Sequence, residues 1–149
     1  MRITSSTLVA EPLQLDCATP LSLGEVVARL PAGFPSPAAD HAIERISLDQ
    51  VLIQHPLATY VVTVKGDSMR DAGIDDGDRL LVDRAIRPAQ HRHIVVAMID
   101  GELTLKRLFK RGGVVKLEAA NPTYPDIRIE AFSELVIWGV ATTCIKRLS

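Results

Sequence analysis

The fold of this 149-residue chain is decided by the stretch Ile94-Val95-Val96-Ala97-Met98-Ile99-Asp100-Gly101-Glu102-Leu103-Thr104-Leu105-Lys106-Arg107-Leu108-Phe109. Two runs rich in apolar and β-branched residues flank the dipeptide Asp100-Gly101. Asp-Gly between two such runs is a strong signal for a tight β-hairpin, because both turn residues must adopt positive φ. We therefore predict a strand over residues 94–99, a turn, and a second strand over residues 102–109.

Similar short runs occur on both sides of this hairpin. They predict further strands over Tyr60–Val64, Arg79–Asp83, Val114–Glu118, Asp126–Ile129 and Leu135–Ala141. Short strands at close spacing, separated by Asp- and Gly-containing turns, are typical of antiparallel sheets. The fold class that follows is mainly β, with a single compact β-rich domain.

The first 40 residues differ from the rest, since they contain five of the nine prolines. Proline disrupts helix interiors and cannot donate a hydrogen bond within a sheet. We predict an extended, partly flexible N-terminal arm over residues 1–40 and the β-rich domain over residues 41–149. Two short helices are expected around this boundary, over Leu21–Leu30 and Ala42–Ile46.

The composition limits the classes of function. A hydrophobic content of 47% and a charged content of 23% predict a folded core rather than disorder. The net charge of -1 argues against strong direct DNA binding. No apolar run approaches the length of about 20 residues that crosses a bilayer, and none resembles a signal peptide. Cys17 and Cys144 suggest no disulfide framework. We expect a cytoplasmic protein with reduced thiols and no membrane association.

Ser68 is the first candidate for chemistry. It lies in Gly66-Asp67-Ser68-Met69, directly after a predicted strand. A serine beside glycine at a strand end can be presented to a substrate with little steric cover. Serine in a Gly- and Asp-rich turn is, however, ordinarily a turn residue. This motif alone favours the turn.

Lys106 is the second candidate. A serine hydroxyl needs a base to become nucleophilic, and a lysine can be that base only when it is neutral. Burial lowers a lysine pKa towards neutrality, whereas the guanidinium of Arg107 stays protonated. The alternation of the strand places Lys106 on the face opposite Leu103 and Leu105, so the pattern does not establish burial. Spacing alone favours an exposed lysine.

No other constellation in the sequence points to catalysis or to a bound group. The histidines are scattered, and His91 and His93 would supply only two ligands where zinc needs at least three. No Gly-rich phosphate loop is present. We expect neither a metal nor a cofactor.

Several motifs together resemble the LexA-type self-cleaving peptidases. Gly66-Asp67-Ser68-Met69 resembles their nucleophile motif, Glu102–Leu108 their lysine strand, and Ile74–Asp78 the acidic turn between the two. Phe34–Asp40 and Leu52–Pro56 resemble the UmuD-like branch of that family. The similarity runs from about Gly33 to the C-terminus, and the order of the motifs makes it specific.

The resemblance implies a signal-peptidase-like β fold and a serine peptidase mechanism. Ser68 would be the nucleophile, Lys106 its general base, and the backbone N–H groups of Ser68 and Met69 the oxyanion donors. The bond cut would be Ala32-Gly33 in the same chain's arm. Well-known UmuD-like proteins have cysteine at the position of Ala32, and LexA-like proteins have alanine.

The family also implies partners. Cleavage would be stimulated by a RecA filament on single-stranded DNA, as part of the SOS response. The trimmed chain would form a homodimer and join a UmuC-like Y-family polymerase for translesion synthesis. One alternative is a dimeric binding subunit that is never processed and whose Ser/Lys dyad is dormant. Another is a signal-peptidase-like enzyme acting on other chains, which the missing membrane anchor disfavours.

Overall fold

Strands dominate the structure, a computed structural model that describes residues 8–9, 13–14, 22–26, 43–129 and 134–149. In chain order they are β1 (Leu8–Val9), β2 (Leu13–Gln14), β3 (Ser22–Val26), β4 (Ile43–Ser47), β5 (Thr59–Lys65), β6 (Arg79–Asp83), β7 (Ile94–Ile99), β8 (Glu102–Arg111), β9 (Val114–Glu118), β10 (Ile127–Arg128) and β11 (Leu135–Ile145). The helix α1 (Leu48–Leu52) and 3-10 turns at Pro56–Ala58 and Arg70–Ala72 complete the described elements. None of the helices in these ranges is long and apolar enough to cross a membrane. The predicted mainly β class is confirmed.

One antiparallel sheet contains most of these strands, in the order β5-β6-β11-β7-β8-β9-β10, with β1 and β2 pairing along the other edge of β5. The last strand, β11, lies between β6 and β7 and pairs with both. Its register shifts between Ile137 and Gly139 and between Ala141 and Thr143. Such irregularities bend a strand and increase its twist. The C-terminal strand therefore joins the two halves of the sheet.

The predicted hairpin is confirmed as β7 and β8. Asp100 has φ 48° and Gly101 has φ 85°, the two consecutive positive values that a tight two-residue hairpin turn requires. This register pairs Val95 with Lys106 and Ala97 with Thr104. Because directly paired residues share a face, these side chains lie together on one side of the sheet.

Both faces of the sheet carry buried apolar residues. One cluster comprises Val62, Val64, Met69, Ile74, Leu80, Val82, Val96, Leu105 and Ala120. The other comprises Val95, Ala97, Ile99, Leu108, Leu117 and Val140. Neighbouring residues of β8 that point to opposite faces are therefore both buried, and the fully buried Leu105 is followed by Lys106, which is 2% exposed.

The described residues fall into two units, one of residues 8–9, 13–14, 55–129 and 134–149, the other of residues 22–26 and 43–54. In the second unit β3 pairs with β4 from Ser22–Ser47 to Val26–Ile43. The helices predicted over Leu21–Leu30 and Ala42–Ile46 are therefore wrong in their described parts. Short isolated helices are marginal, and pairing with a distant strand overrides weak helix propensity. The boundary at residue 40 lies outside the described residues and stays a prediction.

A cluster of charges joins the end of β11 to the acidic turn before β6. Lys146 Nζ lies 2.6 Å from Asp75 Oδ2 and 2.6 Å from Asp78 Oδ2. The thiol of Cys144, a free cysteine, lies 3.5 Å from the same oxygen of Asp78. Burial alone would raise the pKa of Asp78, but the hydrogen bonds from Lys146, the Asp75 backbone and Cys144 lower it overall. The ionised carboxylate thus stabilises the fold.

Replacing Lys146 in this cluster should cause a loss of stability that depends on pH. Lys146→Met should lower the midpoint of thermal unfolding near neutral pH. Because the folded pKa of Asp78 lies below its ordinary value of 3.8, its contribution is present above that pH and disappears as the pH falls through the folded pKa. The difference from wild type should therefore shrink in acid. The exposed Lys65→Met is the control, and an equal effect of both substitutions at neutral pH would contradict the role of the cluster.

Candidate active site

The turn that carries Ser68 begins where β5 ends at Lys65. Gly66 has φ 97°, in the left-handed region that favours glycine. Its N–H donates to Asp76 Oδ1 at 2.7 Å, so the acidic turn holds the start of this motif. Ser68 itself is 0% exposed. The low steric cover that a serine beside glycine can have is therefore not found in this conformation.

A loop over residues 120–124 is hydrogen-bonded along the same turn. The N–H of Ala120 donates to the carbonyl of Ser68 at 2.8 Å, and the N–H of Asp71 donates to the carbonyl of Ala120 at 2.7 Å. Asn121, which is 3% exposed, donates its side-chain N–H to the carbonyl of Asp67 at 3.0 Å. Tyr124 donates its hydroxyl to the Asp67 carboxylate at 2.5 Å. The first three bonds fix the backbone on both sides of Ser68, and the fourth holds the Asp67 side chain.

Lys106 reaches this turn from β8. Its Nζ lies 3.0 Å from Ser68 Oγ, 3.1 Å from Thr104 Oγ1 and 3.1 Å from the carbonyl oxygen of Leu105. Ser68, Thr104 and Lys106 are each at most 2% exposed. An ammonium has three N–H donors, and here three oxygens lie within hydrogen-bonding distance of it.

The same geometry suits a neutral amine. Deprotonated Lys106 has two N–H donors and one lone pair. The carbonyl of Leu105 can only accept, and Thr104 can accept the second N–H, which leaves the lone pair directed at the Ser68 hydroxyl. In that state the amine can take the Ser68 proton, the step that turns a hydroxyl into a nucleophile.

Burial makes the neutral state accessible. Removal from water disfavours the ammonium and lowers the pKa of Lys106 from 10.5 to about 8. At pH 7, one unit below that value, about a tenth of the molecules carry the neutral amine. Lys106 does lie on the face opposite Leu105, as the alternation predicts, but that face is buried too, so the exposed alternative is wrong.

Of the other predicted site residues, the structure describes Met69 but not the cleavage bond. Met69, a predicted oxyanion donor, directly follows Ser68, and its side chain is fully buried. The predicted cleavage bond Ala32-Gly33 lies outside the described residues. In the described ranges no group of three His, Cys, Asp or Glu side chains could hold a metal ion. His91 and His93 instead accept hydrogen bonds from the backbone N–H groups of Lys110 and Gln90.

The sequence reasoning missed Thr104 and the loop residues Ala120, Asn121 and Tyr124. Thr104 could have been found, because it precedes Lys106 by two residues and so shares its face of β8. The loop residues gave no such signal, since Asn121-Pro122 is typical of any turn and its partner is more than 50 residues away along the chain.

The chain is similar in sequence to several known proteins. The family model described as "Peptidase S24-like" matches residues 25–142. Protein SamA of Salmonella typhimurium is 44% identical over 119 residues, covering 80% of this chain and 81% of SamA. Protein MucA of Escherichia coli is 44% identical over 76% of this chain and 77% of MucA. The LexA repressor of Shewanella oneidensis is 36% identical over 81% of this chain and 58% of the repressor.

The depressed lysine pKa can be measured directly. In NMR titrations of side-chain amine signals, Lys106 should titrate at about 8. Lys116 and Lys146, whose pKa values are raised by hydrogen bonds from their ammonium groups to carboxylates, should stay charged to higher pH than an ordinary lysine. Assignment rests on the signal lost in Lys106→Met. A midpoint for Lys106 near 10.5 would show that its amine is hydrated in solution.

Proposed function

The chain belongs to the Peptidase S24-like family, and on that premise we propose that it is a self-cleaving serine peptidase with Ser68 as nucleophile and Lys106 as general base. The observation that carries this proposal is the 3.0 Å contact between Lys106 Nζ and Ser68 Oγ. It joins a hydroxyl to a desolvated amine with a pKa of about 8, which is the pairing that base-activated serine needs.

The reaction begins when Ser68 Oγ attacks the carbonyl carbon of Ala32 and passes its proton to Lys106. The backbone N–H groups of Ser68 and Met69 donate to the oxyanion of the tetrahedral intermediate. The bond to Gly33 then breaks, and the protonated Lys106 gives its proton to the leaving amine. Water, deprotonated by Lys106, hydrolyses the acyl-enzyme. The products are residues 1–32 and 33–149, and no cofactor takes part.

Protonation of Lys106 can account for only part of the slowness of this reaction at neutral pH. With about a tenth of the amine neutral at pH 7, protonation slows the reaction only about tenfold. A chain that stays intact until DNA is damaged needs a further barrier. Entry of the arm into the site is that barrier, and a RecA filament on single-stranded DNA lowers it by binding the docked state selectively.

The cellular role proposed here is that of an SOS mutagenesis factor in the cytoplasm. Residues 33–149 would form a homodimer that acts as accessory subunit to a UmuC-like Y-family polymerase during translesion synthesis. The UmuD-like segments Phe34–Asp40 and Leu52–Pro56 support this branch of the family. The net charge of -1 favours assembly through protein–protein contacts over direct binding to DNA.

Self-cleavage is tested by intact-mass spectrometry of the purified chain. At mildly alkaline pH a fragment beginning at Gly33 should form slowly, and RecA with a nucleotide and single-stranded DNA should accelerate it at neutral pH. The rate without RecA should rise with pH and level off above about 8, as Lys106 loses its proton.

Ser68→Ala and Lys106→Met are the matched inactive variants, and Lys116→Met is the control for loss of a lysine elsewhere. A fragment that also forms in Ser68→Ala would identify a contaminating protease and contradict the mechanism. A wild-type chain that stays intact under all these conditions would instead favour the unprocessed dimeric binding subunit with a dormant dyad.

Replacing Thr104 should have a separate effect on the rate of self-cleavage. In Thr104→Val the amine of Lys106 loses one partner, so the plateau rate at high pH should fall about fivefold, equivalent to about 1 kcal/mol for one hydrogen bond. The midpoint of the pH profile should move lower, because the ammonium also loses an acceptor. Thr104→Ser keeps the hydroxyl and should restore both. An unchanged plateau in Thr104→Val would show that Thr104 only fills space.

A further inference from the structure

A concave site away from the Ser68 turn lies on the sheet, and its lining includes neither Ser68, Thr104 nor Lys106. It is a cavity of about 370 Å³ between the segment 84–89 and strands β8, β9 and β11. Its size falls within the range of roughly 300–1,000 Å³ typical of ligand pockets. Val136, in its lining, pairs with Met98 of β7 and is 43% exposed. An exposed aliphatic side chain at the mouth of a cavity is surface that a ligand can cover.

The charge of this cavity is one-sided. Of the described residues that line it, Arg84, Arg87 and Lys110 are basic, none is acidic, and the others are apolar or glycine. The whole chain has 17 basic and 18 acidic residues, so three cations without an acid are an uneven distribution. Among the described residues, Lys116 and Lys146 are paired with carboxylates, whereas these three cations form no salt bridge.

Arg84 is held in place rather than free in solvent. Its Nε donates to the carbonyl of Trp138 at 3.1 Å, and its guanidinium lies 4.6 Å from the centre of the Trp138 ring. Arg87 Nε in turn donates to the carbonyl of Arg84 at 3.1 Å. A fixed guanidinium loses little entropy when it binds a carboxylate through its remaining N–H groups.

Gly139 provides the space for this arrangement. A Cβ atom at that position would lie 2.6 Å from Val82 Cγ1 and 3.3 Å from Arg84 Cγ. The first distance is well inside van der Waals contact, so any other residue would displace its neighbours. The absence of a side chain at this point of β11 therefore permits the close approach of Arg84 to the strand.

We propose that this cavity binds an acidic peptide segment of a partner protein, with an aliphatic side chain in the apolar part and flanking carboxylates on Arg84, Arg87 and Lys110. Aliphatic residues such as Leu108 and Val115 suit a branched side chain. A nucleic-acid strand fits less well, because stacked bases need a free aromatic face. The ring of Trp138 already contacts Arg84 and the edge-on ring of Tyr60.

Trp138 makes the proposal directly testable, because it is the single tryptophan of the chain. The probes are the tetrapeptide acetyl-Glu-Ile-Leu-Glu-amide and its matched neutral form, acetyl-Gln-Ile-Leu-Gln-amide. Titrated into the full chain under tryptophan-selective excitation, the acidic peptide should change the emission saturably. The neutral peptide should bind at least about tenfold more weakly, because it lacks the charge-assisted hydrogen bonds. Added salt should reduce only the binding of the acidic peptide.

Arg87→Gln and Lys110→Gln should each weaken binding of the acidic peptide several-fold, whereas the exposed Arg79→Gln, outside the cavity, should not. Both cavity variants should keep the wild-type rate of self-cleavage at alkaline pH, which separates this site from the proposed reaction and confirms folding. Equal affinity for the two peptides, or equal effects of Arg79→Gln and Arg87→Gln, would overturn the proposal. So would a response of Trp138 to a thymidine oligonucleotide but not to the acidic peptide.

Discussion

The burial of one ammonium group is the constraint on which the rest of the structure depends. A lysine whose pKa falls from 10.5 to about 8 destabilises the folded state by about 3 kcal/mol at neutral pH. A sheet with one face in water would leave Lys106 hydrated and avoid this destabilisation. Here both faces are covered, and the amine has three oxygens around it in place of water. The second buried face is therefore what makes the lysine a candidate base.

Three lysines show how strongly position determines chemistry. Lys106 has its pKa lowered by burial, whereas Lys116 and Lys146 have theirs raised by hydrogen bonds to carboxylates. All three lie within or beside strands of one sheet. Composition gives them the same charge. Their surroundings distinguish them, because burial lowers the pKa of Lys106 while nearby carboxylates raise those of Lys116 and Lys146.

The sequence predicted the parts of the fold that are encoded locally. The Asp100-Gly101 turn fixes both ends of the β7–β8 hairpin, because the turn and its flanking strands need no distant partner. The helix expected over Leu21–Leu30 was wrong in its described part because Ser22–Val26 pairs with a strand about 20 residues later. Ser68 and Lys106 were found by the family resemblance. Their burial and the contacts of Thr104 and Asn121 depend on long-range packing that no local pattern contains.

The central position of β11 has a consequence for the order of events during synthesis. Ser68 follows β5, in the half of the sheet formed by β5 and β6, whereas Lys106 lies in the half formed by β7 to β10. Among the described strand pairings of the main sheet, only those of β11 join these halves. A nascent chain still held by the ribosome before Ile145 emerges has both residues but no sheet that connects them. The sheet that carries both Ser68 and Lys106 is thus completed only by a strand that is synthesised after both residues.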